Sequence, residues 1–184
     1  MMLPVYVMTS SDPDRDTIER CRRGDKTAFD EVVRSHEAAL RRLVQRYVKS
    51  PEDAKDVTQR AFVQAYEKLD SFRGESTFRT WLYRIAINLA LNHVRGAPPI
   101  VSFPIEDVAA FTHSLATSKL VAAEVWRKVA ARLDKLPPKQ RLVVELRVFH
   151  DLSFKEVAAI VDSSEDSAKQ NYHHGVKALR DTLR

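Results

Sequence analysis

The stretch Asp70-Ser-Phe-Arg-Gly-Glu-Ser-Thr-Phe-Arg-Thr-Trp-Leu-Tyr-Arg-Ile-Ala-Ile-Asn-Leu-Ala-Leu-Asn-His-Val-Arg95 joins a Gly-containing, aromatic-bearing loop to a long helical pattern. From Thr77 onward, Phe78, Trp81, Leu82, Ile85, Ala86, Leu89 and Ala90 recur at three- and four-residue spacing, which predicts a helix seated on a core. On another side Arg84, Asn88 and Asn92 stand one turn apart, with Arg95 three residues on. A solvated face ordinarily mixes Glu with Lys, yet no acid follows Glu75 here. Amides and guanidinium groups bond base edges and phosphates, so the stripe reads as a nucleic-acid face.

The rest of the chain extends the same pattern. Gly is scarce, at 4 of 184 residues, and no alternating apolar run is long enough for a strand, so the predicted fold class is all-α. A short helix over about Asp14–Arg23 stops at Gly24, and a second over about Thr27–Val48 buries Phe29, Val32, Val33, Leu40, Leu43, Val44 and Tyr47. Ser50-Pro51-Glu52-Asp53 is a strong start signal: a capping hydroxyl, Pro at the first helical position and acids in the first turn. The helix it opens reaches about Leu69 and buries Val57, Ala61, Phe62, Ala65 and Leu69. Asp53, Asp56, Gln59 and Arg60 cluster on it, with Val57 and Phe62 at hand, which suits either a solvated face or a protein-binding patch.

Ala97-Pro98-Pro99 breaks the chain, and residues 97–118 read as a linker. Its Ile100, Val101, Phe103, Ile105 and Phe111 either pack on the flanking bodies or dock on a partner. A second body follows, with helices over about Lys119–Leu133 and Pro138–Phe149. Ser153-Phe-Lys-Glu156 is a capping box that opens a short helix to Val161. Asp162-Ser163 turns the chain, and Ser164 caps a last helix from Glu165 to about Leu183. This pair, with small Ala158 and Ala159 near the crossing, predicts a helix-turn-helix. Its second helix carries Lys169, Gln170, Asn171, His173, His174 and Lys177 outward and Ala168, Tyr172, Val176 and Leu179 inward.

Charge follows the same division. Residues 16–95 hold 16 Lys and Arg against 12 acids and residues 119–184 hold 13 against 9, while residues 96–118 have two acids and no base. Two mildly basic bodies fit a polyanion partner. Cys21 is the single cysteine, which excludes an internal disulfide and a Cys-built zinc site and fits a reducing cytosol. No apolar run approaches the roughly 20 residues of a membrane span, so no direct membrane insertion is expected. The opening Met1–Met8 makes a poor signal peptide, and either Met1 or Met8 serves as a start. No His cluster, Gly-rich phosphate loop or placed nucleophile gives a catalytic, metal or cofactor site, so the expectation is a cytoplasmic protein that is not an enzyme and needs no cofactor.

From about Asp16 to Leu183 the chain resembles bacterial RNA polymerase sigma factors of the small extracytoplasmic-function group. The likeness rests on Arg22-Arg-Gly-Asp-Lys-Thr-Ala-Phe29, Asp53-Ala-Lys-Asp-Val-Thr-Gln-Arg-Ala-Phe62, the run from Phe72 to Ala90, Leu136-Pro-Pro-Lys-Gln-Arg141 and Leu152-Ser-Phe-Lys-Glu-Val-Ala158. It implies a tail (1–15), a region 2 domain (16–96), a linker (97–118) and a region 4 helix-turn-helix domain (119–184). By the same resemblance Asp53, Asp56, Val57, Gln59 and Arg60 would meet the β′ clamp of core RNA polymerase. Ser71, Phe72 and Arg73 would lie beside a flipped base of the −10 element, and Arg84, Asn88 and Asn92 would hold that element. Lys169, Gln170, Asn171, His173 and His174 would contact the −35 element in the major groove. Core polymerase (β′ clamp and β flap), promoter DNA and an anti-sigma factor are the implied partners. A helix-turn-helix regulator or sigma-like adaptor that does not itself initiate is the alternative. The chain departs from the family pattern at Arg60, where Glu is frequent, at Asp162, where Gly is usual, and along Asp166–His174.

Overall fold

The computed structural model describes residues 12–96 and 132–181. The predicted tail before Asp12, the linker and most of the helix expected over Lys119–Leu133 lie outside these residues. Among the described residues there are seven α-helices and no strand. None of the helices is long and apolar enough to cross a membrane.

Local chemistry sets the helix ends. Helix α1 (Arg15–Arg22) stops before Gly24, whose φ of 94° is open to a residue without Cβ. Asp25 caps α2 (Lys26–Val44) by accepting from the backbone N–H groups of Thr27 and Ala28 at 3.0 and 3.2 Å. The Thr27 hydroxyl, which donates to the same carboxylate at 2.6 Å, and then the Arg20 guanidinium, at 2.8 Å, pull the Asp25 carboxyl down to about 2. Ser50 accepts from Asp53 N–H at 3.2 Å and starts α3 (Pro51–Glu67). A short 3₁₀ turn, Leu69–Ser71, leads into the loop before α4 (Phe78–Arg95). Thr77 caps α4, and Gly96, at φ 63°, closes it in the left-handed conformation. Helix α2 therefore ends four residues earlier than the apolar pattern suggests, because residues 45–47 turn toward α3 while Tyr47 and Val48 stay buried.

In the second half, α5 (Pro138–Phe149), α6 (Phe154–Ile160) and α7 (Glu165–Asp181) pack together. The capping box forms with both bonds present. Between α6 and α7 the backbone turns at Asp162 with φ 49°, a conformation Asp tolerates better than most residues. The helix-turn-helix is thus formed as the sequence predicts. One continuous apolar core runs through both halves, joining Phe78, Leu82 and Tyr83 of α4 to Leu146, Leu152, Val157 and Ile160.

The inward face of α7 differs from its predicted one. Ala168 is buried and Tyr172 packs edge-on against Phe154 at 5.4 Å, but Val176 is exposed. Gly175 takes the inward position instead, because α7 crosses α5 too closely for a larger side chain there. A Cβ on Gly175 would lie 2.7 Å from Cγ2 of Val144. Gly175→Ala is therefore expected to destabilise the protein by about 1–3 kcal/mol, despite its gain in helix propensity. Urea unfolding of the variant measures it.

Candidate nucleic-acid interface

Helix α4 is fixed from below by three aromatic rings. Phe72, 2% exposed, lies 5.7 Å from Phe78 and 5.1 Å from Trp81, with Phe78 and Trp81 5.7 Å apart. Phe72 thus supports the loop from inside and does not stand on its surface, while Ser71 and Arg73 beside it are exposed. Along the donor stripe Arg84 is exposed, Asn88 is half-buried and Asn92 is 3% exposed. The stripe winds gradually into the core, because a straight α-helix drifts relative to a fixed four-residue spacing. Asn92 is in this structure a core residue whose Oδ1 finds no hydrogen-bond partner among the described residues.

On α3, Asp56, Gln59 and Arg60 are exposed, and Asp53 lies 3.6 Å from Nε2 of His93. Val57 is 1% exposed and points into the core, so it supports the patch from behind. On α7, Gln170, His173 and His174 are exposed. Lys169 is 2.8 Å from Glu165, and the Asn171 amide donates to the Ser167 carbonyl at 2.8 Å, so both are tied to their own helix.

Two positioning residues carried no signal in the apolar pattern. Arg22 of α1 donates to the carbonyls of Leu69, at 3.3 Å, and Phe72, holding the turn that enters the loop. Asp12 accepts from the Phe78 backbone N–H at 2.7 Å and satisfies a free donor at the start of α4. Arg22 does fall in the quoted Arg22–Phe29 motif, whereas Asp12 lies in the stretch read as a tail.

The second half lies against this face. The Thr80 hydroxyl donates to Glu156 Oε1 at 3.2 Å, the Arg79 guanidinium donates to the His150 carbonyl, and Arg84 lies 4.0 Å from Asp162. A cleft of about 420 Å³ remains, lined by Ser76, Thr77 and Arg79 on one side and Ser153, Lys155 and Glu156 on the other. Among the described residues no group of His, Cys, Asp and Glu is arranged to hold a metal ion.

Comparison with known proteins accounts for this architecture. Residues 32–97 match the family model "Sigma-70 region 2", and residues 126–179 match "Sigma-70, region 4". The chain is 34% identical over 186 residues to the RNA polymerase sigma-H factor of Pseudomonas aeruginosa, covering 96% of each. It is 38% identical over 176 residues to the ECF RNA polymerase sigma-E factor of Escherichia coli K12, covering 90% of this chain and 92% of that protein. The solved structure of CnrH in complex with the cytosolic domain of CnrY superposes with a TM-score of 0.71 at 26% identity, covering 94% of this chain and 97% of that one. The chain belongs to the sigma-70 family and, within it, to the extracytoplasmic-function sigma factors. It is a transcription initiation factor that binds core RNA polymerase and directs it to promoters, and it is not an enzyme.

His150 lies where the two halves meet, edge-on to the Tyr83 ring at 5.4 Å. Burial, with the charges of Arg46, Arg79 and Arg42 around it, pulls its pKa from 6.5 down to about 4. The unfolded chain therefore binds a proton at this residue that the folded chain refuses between these values. From His150, stability should be level above pH 6.5 and fall as the pH is lowered from 6.5 toward 4. Thermal unfolding of the wild type and His150→Gln between pH 8 and pH 5 checks this, and the variant should show the flatter profile.

Proposed function

We propose that initiation is divided among three helices of this chain. The exposed Asp56, Gln59 and Arg60 of α3, with Asp53 at its edge, form the surface for the β′ clamp. Arg73 on the loop and Arg84 and Asn88 on α4 hold the opened −10 strand, with Phe72 and Asn92 shaping that surface from within. Gln170, His173 and His174 on α7 face the −35 duplex, and the β flap carries the second domain into place. The linker (97–118) spans the polymerase between these two sites, in the cytoplasm where transcription takes place.

The observation that carries this reading is the pairing of α3 with α4. The two helices pack on each other, one presenting an exposed polar stripe with acids and the other an acid-free donor stripe. A DNA-binding regulator needs only the second stripe. A subunit that docks on polymerase while capturing a strand needs both. Control by an anti-sigma factor fits as well, since CnrH was solved bound to the cytosolic domain of CnrY.

Run-off transcription with purified core polymerase and a cognate promoter tests the assignment. Asn88→Ala should lower open-complex formation by about tenfold or more, the worth of a good base contact. Its affinity for core polymerase, measured by competition with the wild-type factor, should not change. Normal opening by Asn88→Ala would remove that residue from DNA recognition.

A further inference from the structure

The loop between α3 and α4 is held at both ends from α1. At its entry, Arg22 Nη2 donates to the carbonyls of Leu69, at 3.3 Å, and Phe72, and the guanidinium carbon lies 5.8 Å from the centre of the Phe72 ring. At its exit, Thr77 caps the N–H of Thr80 and leaves that of Phe78 to Asp12, whose Oδ2 accepts it at 2.7 Å. Asp12 is 7% exposed. Its Oδ1 accepts from the Asp14 N–H at 3.1 Å, and its carbonyl accepts from the Arg15 N–H at 3.2 Å. One residue therefore satisfies donors at the start of α1 and at the start of α4 together. Asp14 in turn meets Nε2 of His36 on α2 at 2.8 Å, and the His36 ring lies 6.2 Å from that of Phe78.

Asp12 and Arg22 stand at the two ends of α1, whose Ile18 is fully buried in the core. Between the two anchors, residues 73–76 make no backbone–backbone hydrogen bond among the described residues, and Gly74 takes a φ of 71°. The loop has no ladder of its own to keep its shape, so its span is set from outside. Arg73 and Glu75, both exposed, project from a backbone whose ends α1 fixes. A loop pinned in this way loses less conformational freedom when it closes on a ligand than a free one does. An end cap for α1 alone needs only one oxygen of Asp12 and no burial. The second oxygen is spent on α4.

We propose that α1 is a strut for strand capture: Arg22 and Asp12, one at each end of it, set the span of the loop 73–77 and hold it in the shape that takes up a flipped base. Asp12 is then a positioning residue for promoter opening, acting through the Phe78 backbone. The inference rests on the reading of this loop and α4 as the −10 surface.

The test measures how far the affinity of the holoenzyme depends on one base. The full-length wild-type factor with core polymerase first selects a promoter from a randomised duplex library. The selected duplex is then made with its −10 segment mismatched open, as a parent probe and as copies that each lack one base of the non-template strand there. For the wild type, one position should weaken binding about tenfold when its base is missing, the worth of one stacked base. Asp12→Ala should bring that penalty down to about twofold. Asp12→Asn, which offers one acceptor oxygen to two donors, should fall between them.

A smaller folded fraction lowers binding to the parent and abasic probes alike and leaves their ratio unchanged, so the ratio separates positioning from stability. Arg22→Ala, which releases the other end of the loop, takes the place of Asp12→Ala should that variant fail to fold by circular dichroism. A full wild-type penalty in the folded variant would overturn the strut and leave the −10 reading standing. A wild type with no base-dependent position would overturn the −10 reading, and the strut with it.

Discussion

A carboxylate withdrawn from water has to be met by cations and hydrogen-bond donors, and for Glu145 this requirement shapes the whole molecule. Two acids, Glu145 and Asp134, face two guanidinium groups, Arg46 and Arg141, so the buried cluster carries no net charge. Removing one partner from such a cluster typically costs about 3–5 kcal/mol, because the remaining charge stays buried alone. The same burial, joined by the Glu145 charge, raises the Tyr47 hydroxyl well above its ordinary pKa and keeps it a donor. Once α5 is held there, His150 at its end meets Tyr83 and Arg79, and α6 is laid along α4. The junction is polar where it must be specific and apolar around it, which gives it one register.

The helices themselves were legible because their signals are local. Ser50-Pro51, Thr77, the Ser153–Glu156 box and Gly96 each act within a turn of their own position, and each sits at the helix end it announced. The helix-turn-helix followed from the same grammar, even with Asp162 where a Gly is usual. What depends on partners distant in sequence was not legible. Periodicity says that a residue faces inward but not how close the neighbouring helix runs. It therefore could not choose Gly175 over Val176, a choice made by Val144 of another helix. The family resemblance placed Phe72 beside the DNA, and its one-turn spacing from Asn88 placed Asn92 on the donor face. Their burial comes from Trp81 and Phe78 in one case and from the winding of the α4 stripe in the other.

The junction of the halves was the least legible feature, for a related reason. Arg46, Tyr47 and Glu145 are unremarkable in sequence, about a hundred positions apart, and a Glu on a helix ordinarily reads as solvated. Only the coincidence in space of a fully buried acid and a cation whose contacts lie across the junction marks them out. A Leu or Met at position 145 would fill similar volume and join the halves too, but without a geometric condition on the contact. A charged junction behaves differently, because it holds strongly while dry and loses much of its strength once water or a competing surface enters.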